Sequence, residues 1–195
     1  MRRTIASAAA KALLFASIAS ASAGCLVLSL NPAYDEATIA WEPRLVGAWQ
    51  SPDDRSSIRI ERGEWQSYRV HYEHPIETGD VTAYLTLVGN DRYLDVMPAR
   101  GHDYGSFLIP AHAILRVILD EDRLELTPLS YDWFSDRLRA GGPIAGLAAT
   151  FDQKENALIV SPTSKVRDWL RTQTAAAPTF GAPASFVRRA EKPKE

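Results

Sequence analysis

Residues 81–98, VTAYLTLVGNDRYLDVMP, contain two runs of strand-forming residues on either side of a short turn. Alternate residues of the first run are aliphatic, which is typical of a strand with one buried face. The segment Gly89–Asp91 supplies turn residues, and Tyr93–Met97 continues as a second strand. The pattern predicts an antiparallel hairpin. Its first strand is expected to bury the side chains of Val81, Ala83, Leu85 and Leu87.

The same arrangement recurs twice elsewhere in the chain. SSIRIERGEWQSYRVHYE (residues 56–73) predicts a strand pair around Arg62–Glu64, and AILRVILDEDRLELTPL (residues 113–129) predicts another around Asp120–Asp122. Successive antiparallel hairpins are typical of closed barrels and curved meanders. We therefore expect a mainly β domain with one of these two architectures.

Two short helices are expected beside the strands. LSYDWFSDRLRAGGP begins with Ser130 as a helix N-cap and stops at Gly141–Pro143. SPTSKVRDWLRTQ offers Ser161 as N-cap with Pro162 at the first helical position. Each helix is short and has one apolar face, so we expect both to pack against the sheet, over an edge or one end of it.

The first 24 residues have the layout of an export signal. Positive charges precede ALLFASIA (Ala12–Ala19), an apolar run that is too short to span a bilayer. We therefore expect residues 1–24 to be a cleaved signal peptide. Small residues at Ala21 and Ala23 fit an ordinary signal peptidase, which would release a soluble periplasmic or secreted protein starting at Gly24.

The junction Ser22-Ala23-Gly24-Cys25 resembles the lipobox of bacterial lipoproteins. In that family the chain is cut before the cysteine, here between Gly24 and Cys25, and the thiol receives acyl chains such as palmitate. Cys25 is the only cysteine of the chain, so it has no disulfide partner within it. The resemblance implies a lipid-anchored protein of a bacterial envelope. Leu26 after the cysteine implies the outer membrane, facing the periplasm.

The mature chain divides into three parts. Residues 25–43 contain prolines without a clear period and are expected to be a lipid-anchored spacer. Residues 44–173 are expected to form the β-rich domain, and residues 174–195 a disordered tail.

Loss of residues 1–24 changes the formal net charge from −2 to −5. Because basic residues are scattered among acidic ones, we do not expect a nucleic-acid partner.

The predicted first strand opens with Gly47-Ala48-Trp49, and here the chain resembles the lipocalin-like group of small barrels. In that group the glycine lets the backbone bend at the closed end of the barrel. The tryptophan packs under an arginine from another strand. The resemblance implies a lipocalin-like barrel in which Gly47 and Trp49 are a structural signature. The region from Leu45 to Leu170 also resembles uncharacterised bacterial envelope proteins, which imply no particular activity.

Polar side chains that could take part in catalysis or metal binding are concentrated between residues 102 and 112. Ser106 could serve as a nucleophile with a histidine base and Asp103 as the orienting group, and His102, Asp103 and His112 could instead be metal ligands. However, the segment has neither a Gly-x-Ser-x-Gly elbow nor a characteristic ligand spacing. We therefore expect turn chemistry at His102-Asp103 and a strand in which His112 hydrogen-bonds the backbone, with no catalytic site, metal or cofactor.

These observations favour a binding function over catalysis. Small barrels either fill their interior with side chains or leave a cavity for one small molecule. We expect an apolar ligand inside the sheet, or else a protein partner in the envelope. An envelope hydrolase or metal-dependent enzyme using residues 102–112 is one alternative, and a structural or assembly protein is another. The expected lining of a ligand site is Val81, Ala83, Leu85, Leu87, Leu115 and Val117.

Overall fold

A computed structural model of the chain describes residues 26–76, 78–99 and 109–189. Nine strands follow one another before the first helix, and two further strands lie between the helices, with one strand after the second helix. The strands are β1 (Val27–Ser29), β2 (Ile39–Ala40), β3 (Gly47–Gln50), β4 (Ser57–Arg62), β5 (Ser67–Glu73), β6 (Thr78–Val88), β7 (Asp91–Pro98), β8 (Ala113–Asp120), β9 (Arg123–Pro128), β10 (Ala149–Phe151), β11 (Ala157–Ile159) and β12 (Ala184–Arg188). The helices are α1 (Tyr131–Arg139) and α2 (Thr163–Thr172).

Eight strands form a closed antiparallel barrel. Strands β3 to β9 run as a meander, β12 lies between β9 and β3, and β6 pairs with β7. The closing register places Arg188 opposite Trp49 on one side of β12 and Phe186 opposite Leu124 on the other. The expectation of a mainly β protein with a barrel and two helices is confirmed.

The barrel interior is filled along part of its length by alternate side chains of every strand. Tyr68, Ala83, Leu85 and Leu124 are at most 1% exposed and belong to one continuous apolar core. The inward prediction holds for Ala83, Leu85 and Val117, and for Val81 and Leu115, which are half-buried. It is wrong for Leu87, which is 46% exposed because it lies at the end of β6, beyond the filled part of the interior.

One end of the barrel is covered by the segment that precedes β3. A single 3-10 turn, Pro43–Leu45, places Leu45 in the barrel core at 1% exposure. Trp41 stacks on Tyr68 with ring centroids 4.6 Å apart. The Tyr68 hydroxyl accepts a hydrogen bond from the Glu42 amide at 2.7 Å, which holds the covering segment in place. We call this the closed end.

A second layer packs on the outer wall of the barrel. Strands β1, β11 and β10 form a separate three-stranded sheet, and α1 and α2 lie with it over the outward-facing side chains of β6 to β8. Phe134 and Trp169 meet edge to face with ring centroids 5.7 Å apart, and Tyr93 of the barrel wall belongs to the same core. The helices therefore cover the side of the barrel rather than an end.

The two helix starts differ in how well the sequence predicted them. Ser130 caps α1 as expected, because its Oγ accepts a hydrogen bond from the Trp133 amide. Ser161 does not cap α2: Pro162 occupies the N-cap position, and the Ser161 Oγ accepts a hydrogen bond from the Ala148 amide at 2.7 Å. Within residues 26–76, 78–99 and 109–189, no helix has the length and apolar character that a membrane span requires.

The structure corrects two of the predicted boundaries. The spacer predicted over residues 25–43 is wrong for most of that stretch, because Val27 and Ser29 are buried in a sheet and Ala33 is 0% exposed. The tail predicted as disordered over residues 174–195 contains β12, the strand that closes the barrel. Both segments lack a clear periodicity, and each is ordered by long-range pairing that local pattern does not reveal.

Candidate functional site

A cleft of about 510 Å³ lies at the end of the barrel opposite the closed end, which we call the open end. Its floor is apolar and is formed by Ile58 of β4, Tyr72 of β5 and Phe186 of β12. Its rim is polar and comes from the β3–β4 turn and the residues that follow β5. The rim residues are Ser51, Asp53, Asp54, Ser56, Ser57, Glu73 and His74, with Pro183, Ala184 and Ser185 on the side of β12.

Strand alternation aims the three floor residues inward. Ile58 pairs with Tyr72 across β4 and β5, and Ile58 and Phe186 are each 7% exposed. Tyr72 leans across its partner on β6, Gly79, where a Cβ atom would lie only 2.7 Å from the tyrosine ring. A glycine at this position therefore allows Tyr72 to lie flat along the wall of the barrel.

Exposure of the interior side chains varies within the barrel. Tyr68, Leu85, Leu94 and Leu124, nearer the closed end, are at most 3% exposed. Six other inward-facing residues are half-buried: Val70, Tyr72, Val81, Val96, Leu115 and Leu126. The contrast is not uniform along the barrel, because Ile58 and Phe186 of the cleft floor are each 7% exposed and Leu115 pairs directly with Leu94. The apolar interior therefore combines a packed core with inward positions whose side chains are partly accessible.

The rim of the cleft carries negative charge. Asp54 accepts a hydrogen bond from the Ser56 amide at 2.7 Å, and this bond lowers the pKa of the Asp54 carboxyl below its ordinary value. Glu73 accepts a hydrogen bond from the Ser57 hydroxyl at 3.1 Å. The described lining contains these acids and Asp53 but neither lysine nor arginine, so a cleft with an anionic rim leads to the apolar floor.

A buried polar pair lies elsewhere, in the layer outside the barrel wall. His112 is 5% exposed and its Nδ1 lies 2.6 Å from Oδ1 of Asp95, which is 0% exposed. The other Asp95 oxygen accepts a hydrogen bond from the Ala33 amide at 2.6 Å. Because both side chains are shielded from solvent, the pair holds residue 33 against β7 and offers no surface to a substrate.

Arg167 of α2 continues this polar network. Its guanidinium donates hydrogen bonds to the Ala33 carbonyl at 2.7 Å, to the Thr86 hydroxyl at 3.1 Å and to the Leu87 carbonyl at 2.9 Å. Asp35 lies 3.6 Å from Arg167 Nε, at the edge of the network. Asp95, His112 and Arg167 therefore attach the N-terminal segment to the barrel and to α2.

The predicted site residues have different outcomes. Gly24 and Cys25 of the cleavage junction, and His102, Asp103 and Ser106 of the polar segment, lie outside the described residues. Of these polar residues only His112 is described. Its backbone pairs with Ser29, but its side chain bonds the Asp95 carboxylate rather than the backbone, because Asp95 is buried beside it. Within the described ranges, no three His, Cys, Asp or Glu side chains are grouped so that they could hold a metal ion.

Gly47 and Trp49 lie at the start of the first barrel strand. Trp49 is 0% exposed, and its indole donates a hydrogen bond to the Leu45 carbonyl at 2.9 Å. The Arg188 guanidinium lies over the indole ring, 4.1 Å from its centroid. Gly47 has φ of 144°, and a Cβ atom there would meet the Arg188 guanidinium.

Sequence reasoning missed the residues that make the open end distinctive. Asp53 and Asp54 sit in a polar turn that resembles any solvated loop, and Phe186 lies in the segment predicted to be disordered. Only the barrel closure brings β12 beside β3 and places these residues around one cleft. The alternation of Tyr68, Val70 and Tyr72 along β5 was the available signal for an inward aromatic floor.

Comparisons of the chain with known protein families, with curated proteins and with solved structures found no match.

Proposed function

We propose that this protein binds a small apolar ligand in the open half of its barrel. The supporting observation is the cleft at the open end, which has an apolar floor of Ile58, Tyr72 and Phe186, together with half-buried inward side chains such as Val70 and Val96. Leaving these apolar surfaces partly in contact with water costs free energy, about 25 cal/mol for each Å² that a ligand could cover. A ligand that fills the space recovers this free energy.

The size and shape of the cleft suit this function. Its volume of about 510 Å³ lies in the range of ordinary small-molecule sites, which run from about 300 to 1,000 Å³. Tyr72 and Phe186 offer flat apolar surfaces to a ligand body, while the packed core below them limits how deeply it enters. We therefore expect a ligand with a compact or short-chain apolar part.

Binding can be tested with N-phenyl-1-naphthylamine, a neutral probe that fluoresces when it leaves water. We expect saturable fluorescence with the protein lacking residues 1–24 and carrying Cys25→Ser. Leu126→Trp should abolish it, because Leu126 faces inward opposite Ala184 of the cleft. Val187→Trp is the matched control, since Val187 lies on the same wall but faces outward at 41% exposure.

A separate measurement keeps the test informative if Leu126→Trp fails to fold. Apolar compounds extracted from the purified Cys25→Ser protein would be identified by mass spectrometry. Saturable probe binding or a stoichiometric extracted compound supports the proposal. A folded protein that neither takes up the probe nor carries an extractable compound contradicts it.

We also propose that the domain is attached to a bacterial outer membrane through an acylated Cys25. The support is the Ser22–Cys25 junction and the lack of a second cysteine. Leu26 is already tied to the domain, since its amide donates a hydrogen bond to the Asn156 side chain at 2.9 Å. An acylated Cys25 would therefore hold the barrel close to the membrane surface.

Intact mass of the protein purified from membranes tests this attachment. We expect a chain that starts at Cys25 and carries the added mass of its acyl chains. The Cys25→Ser variant should move to the soluble fraction. A product starting at Gly24 without added mass, whose distribution is unchanged by Cys25→Ser, contradicts the proposal.

A further inference from the structure

We propose that the open end selects amphiphiles with a positively charged head, such as a primary amine or quaternary ammonium group on an apolar tail. The inference rests on the proposed function, because it assigns the charge of the ligand that the same cleft takes. The apolar floor lies directly below an anionic rim, so one molecule can contact both.

No lysine or arginine of the described residues forms an ion pair with the rim acids. Asp53 and Asp54 form no ion pair with the described residues, and the lining has no lysine or arginine there. Two histidines lie near the rim acids. His71 Nε2 is 3.8 Å from Glu73 while its Nδ1 contacts Asp80 at 2.9 Å, and His74 lines the cleft and contributes to the lowered pKa of Asp54. A cation arriving at the rim therefore meets carboxylates whose charge is largely uncompensated.

Two of the rim acids accept hydrogen bonds from the β3–β4 hairpin, and one of these bonds favours the charged form of Asp54. The Ser56 amide lowers the pKa of Asp54, and the Ser57 hydroxyl donates to Glu73. These hydrogen bonds come from the β3–β4 hairpin and place the carboxylates at the edge of the cleft, where they remain exposed. The same charges repel a ligand with a carboxylate or sulfate head.

The floor accepts the apolar tail of such a ligand. Tyr72 and Phe186 line the cleft with ring surface that the tail can cover, while the charged head lies at the rim. Exposed charge pairs contribute modestly, each up to about fivefold in affinity. Several rim carboxylates together predict a preference of about tenfold for a cationic head over an anionic one with the same tail.

The experiment compares three compounds with identical ten-carbon tails: decyltrimethylammonium, decanol and decanoate. Each would displace N-phenyl-1-naphthylamine from the Cys25→Ser protein at low ionic strength and below its micelle concentration. We expect decyltrimethylammonium to bind about tenfold more tightly than decanoate, with decanol between them. High salt should reduce this difference, because exposed charges are screened.

A charge-neutralised rim provides the decisive variant. Asp53→Asn, Asp54→Asn and Glu73→Gln together remove the rim charges but keep oxygen acceptors for the Ser56 and Ser57 donors. Decanol should bind this variant as before, whereas the preference for the cation should disappear. The matched control is Asp120→Asn, Glu121→Gln and Asp122→Asn, which changes the net charge equally at the turn between β8 and β9.

The outcomes separate this inference from the proposed function. A cation preference that is lost in the rim variant and retained in the control variant supports the inference. Equal binding of the three compounds, or an equal loss of preference in both variants, overturns it and leaves the proposed apolar site standing. Failure of the probe and of all three compounds to bind overturns the proposed function, and the inference with it.

Discussion

The guanidinium carbon of Arg188, in the last barrel strand β12, lies 4.1 Å from the ring centroid of Trp49, in the first barrel strand β3. The same guanidinium donates hydrogen bonds to the Val46 carbonyl at 3.0 Å and to the Arg44 carbonyl. Trp49 in turn donates to the Leu45 carbonyl. The Arg188 guanidinium and the Trp49 ring therefore connect the strands that close the barrel with the segment that covers its closed end.

Replacing Trp49 by alanine should lower the free energy of unfolding by about 3 to 5 kcal/mol, because the ring is fully buried in the barrel core. Urea denaturation would measure the loss. Trp65→Ala is the matched control, since Trp65 is 86% exposed and should change stability by less than about 0.5 kcal/mol. Equal effects of the two substitutions would contradict the packing role of Trp49.

Gly47→Ala should be destabilising for two separable reasons. The residue has φ of 144°, and its new Cβ would approach Nη1 of Arg188 to 2.5 Å. We expect a loss of about 1 to 3 kcal/mol, part of which disappears in an Arg188→Ala background. Gly146→Ala is the control, because it has φ of 81° and no atom within 4 Å of the added methyl. A Gly47→Ala loss that is independent of Arg188 would show that only the backbone conformation matters.

Arg167→Ala should cost about 3 kcal/mol of stability, because it leaves the carbonyls of Ala33 and Leu87 without their donor in a buried region. Arg171→Ala, one turn further along α2, removes only an exposed ion pair with Asp168 and should cost less than about 0.5 kcal/mol. Thermal unfolding of both variants would compare them. Similar melting temperatures would argue against a structural role for Arg167.

Tyr93→Phe should raise stability by about 1 kcal/mol. The Tyr93 hydroxyl is buried without a hydrogen-bond partner among the described residues, and burial raises its pKa to about 12. Because this pKa lies above the ordinary 10.0, the folded state should lose stability as the pH rises beyond about 10, and Phe should remove this sensitivity. Urea denaturation at pH 7 and pH 10.5 would test both effects, and a less stable Phe variant would contradict the prediction.

Glu42 should contribute to the acid sensitivity of the fold. The Arg44 side chain donates to both Glu42 oxygens, which lowers the pKa of Glu42 from 4.5 to about 2. The stabilisation is present above pH 4.5 and is lost as the pH falls toward 2. It amounts to about 1 kcal/mol once screening at the exposed Arg44 is taken into account.

Glu42→Gln should remove this acid sensitivity, as measured by urea denaturation between pH 2 and pH 6. Glu61→Gln is the control, because Glu61 forms only an exposed ion pair with Arg69 at 3.7 Å. The same pH dependence in wild type and in Glu42→Gln would rule out the contribution of Glu42.

Local pattern was sufficient to predict the hairpins and the existence of both helices. Alternation along residues 81–88 and the turn at Gly89 predict β6 and β7, because a strand with one buried face needs a period of two. Ser130 predicts the start of α1, because its hydroxyl satisfies an amide that the helix leaves free. These signals act between residues close in the chain.

Only the tertiary structure decided how the barrel closes and where its open end lies. β12 lies in an Ala- and Pro-rich segment and becomes a strand because β3 and β9 offer it unpaired edges. Arg188, Phe186, Asp95 and Arg167 acquire their roles from partners many residues away, so no local signal marks them. By itself the sequence determined a β-rich chain of hairpins with two helices. Long-range strand pairing determined which side chains meet at each end of the barrel. The backbone hydrogen bonds between β12 and its neighbours form only when the barrel closes, and any residue type except proline can make them.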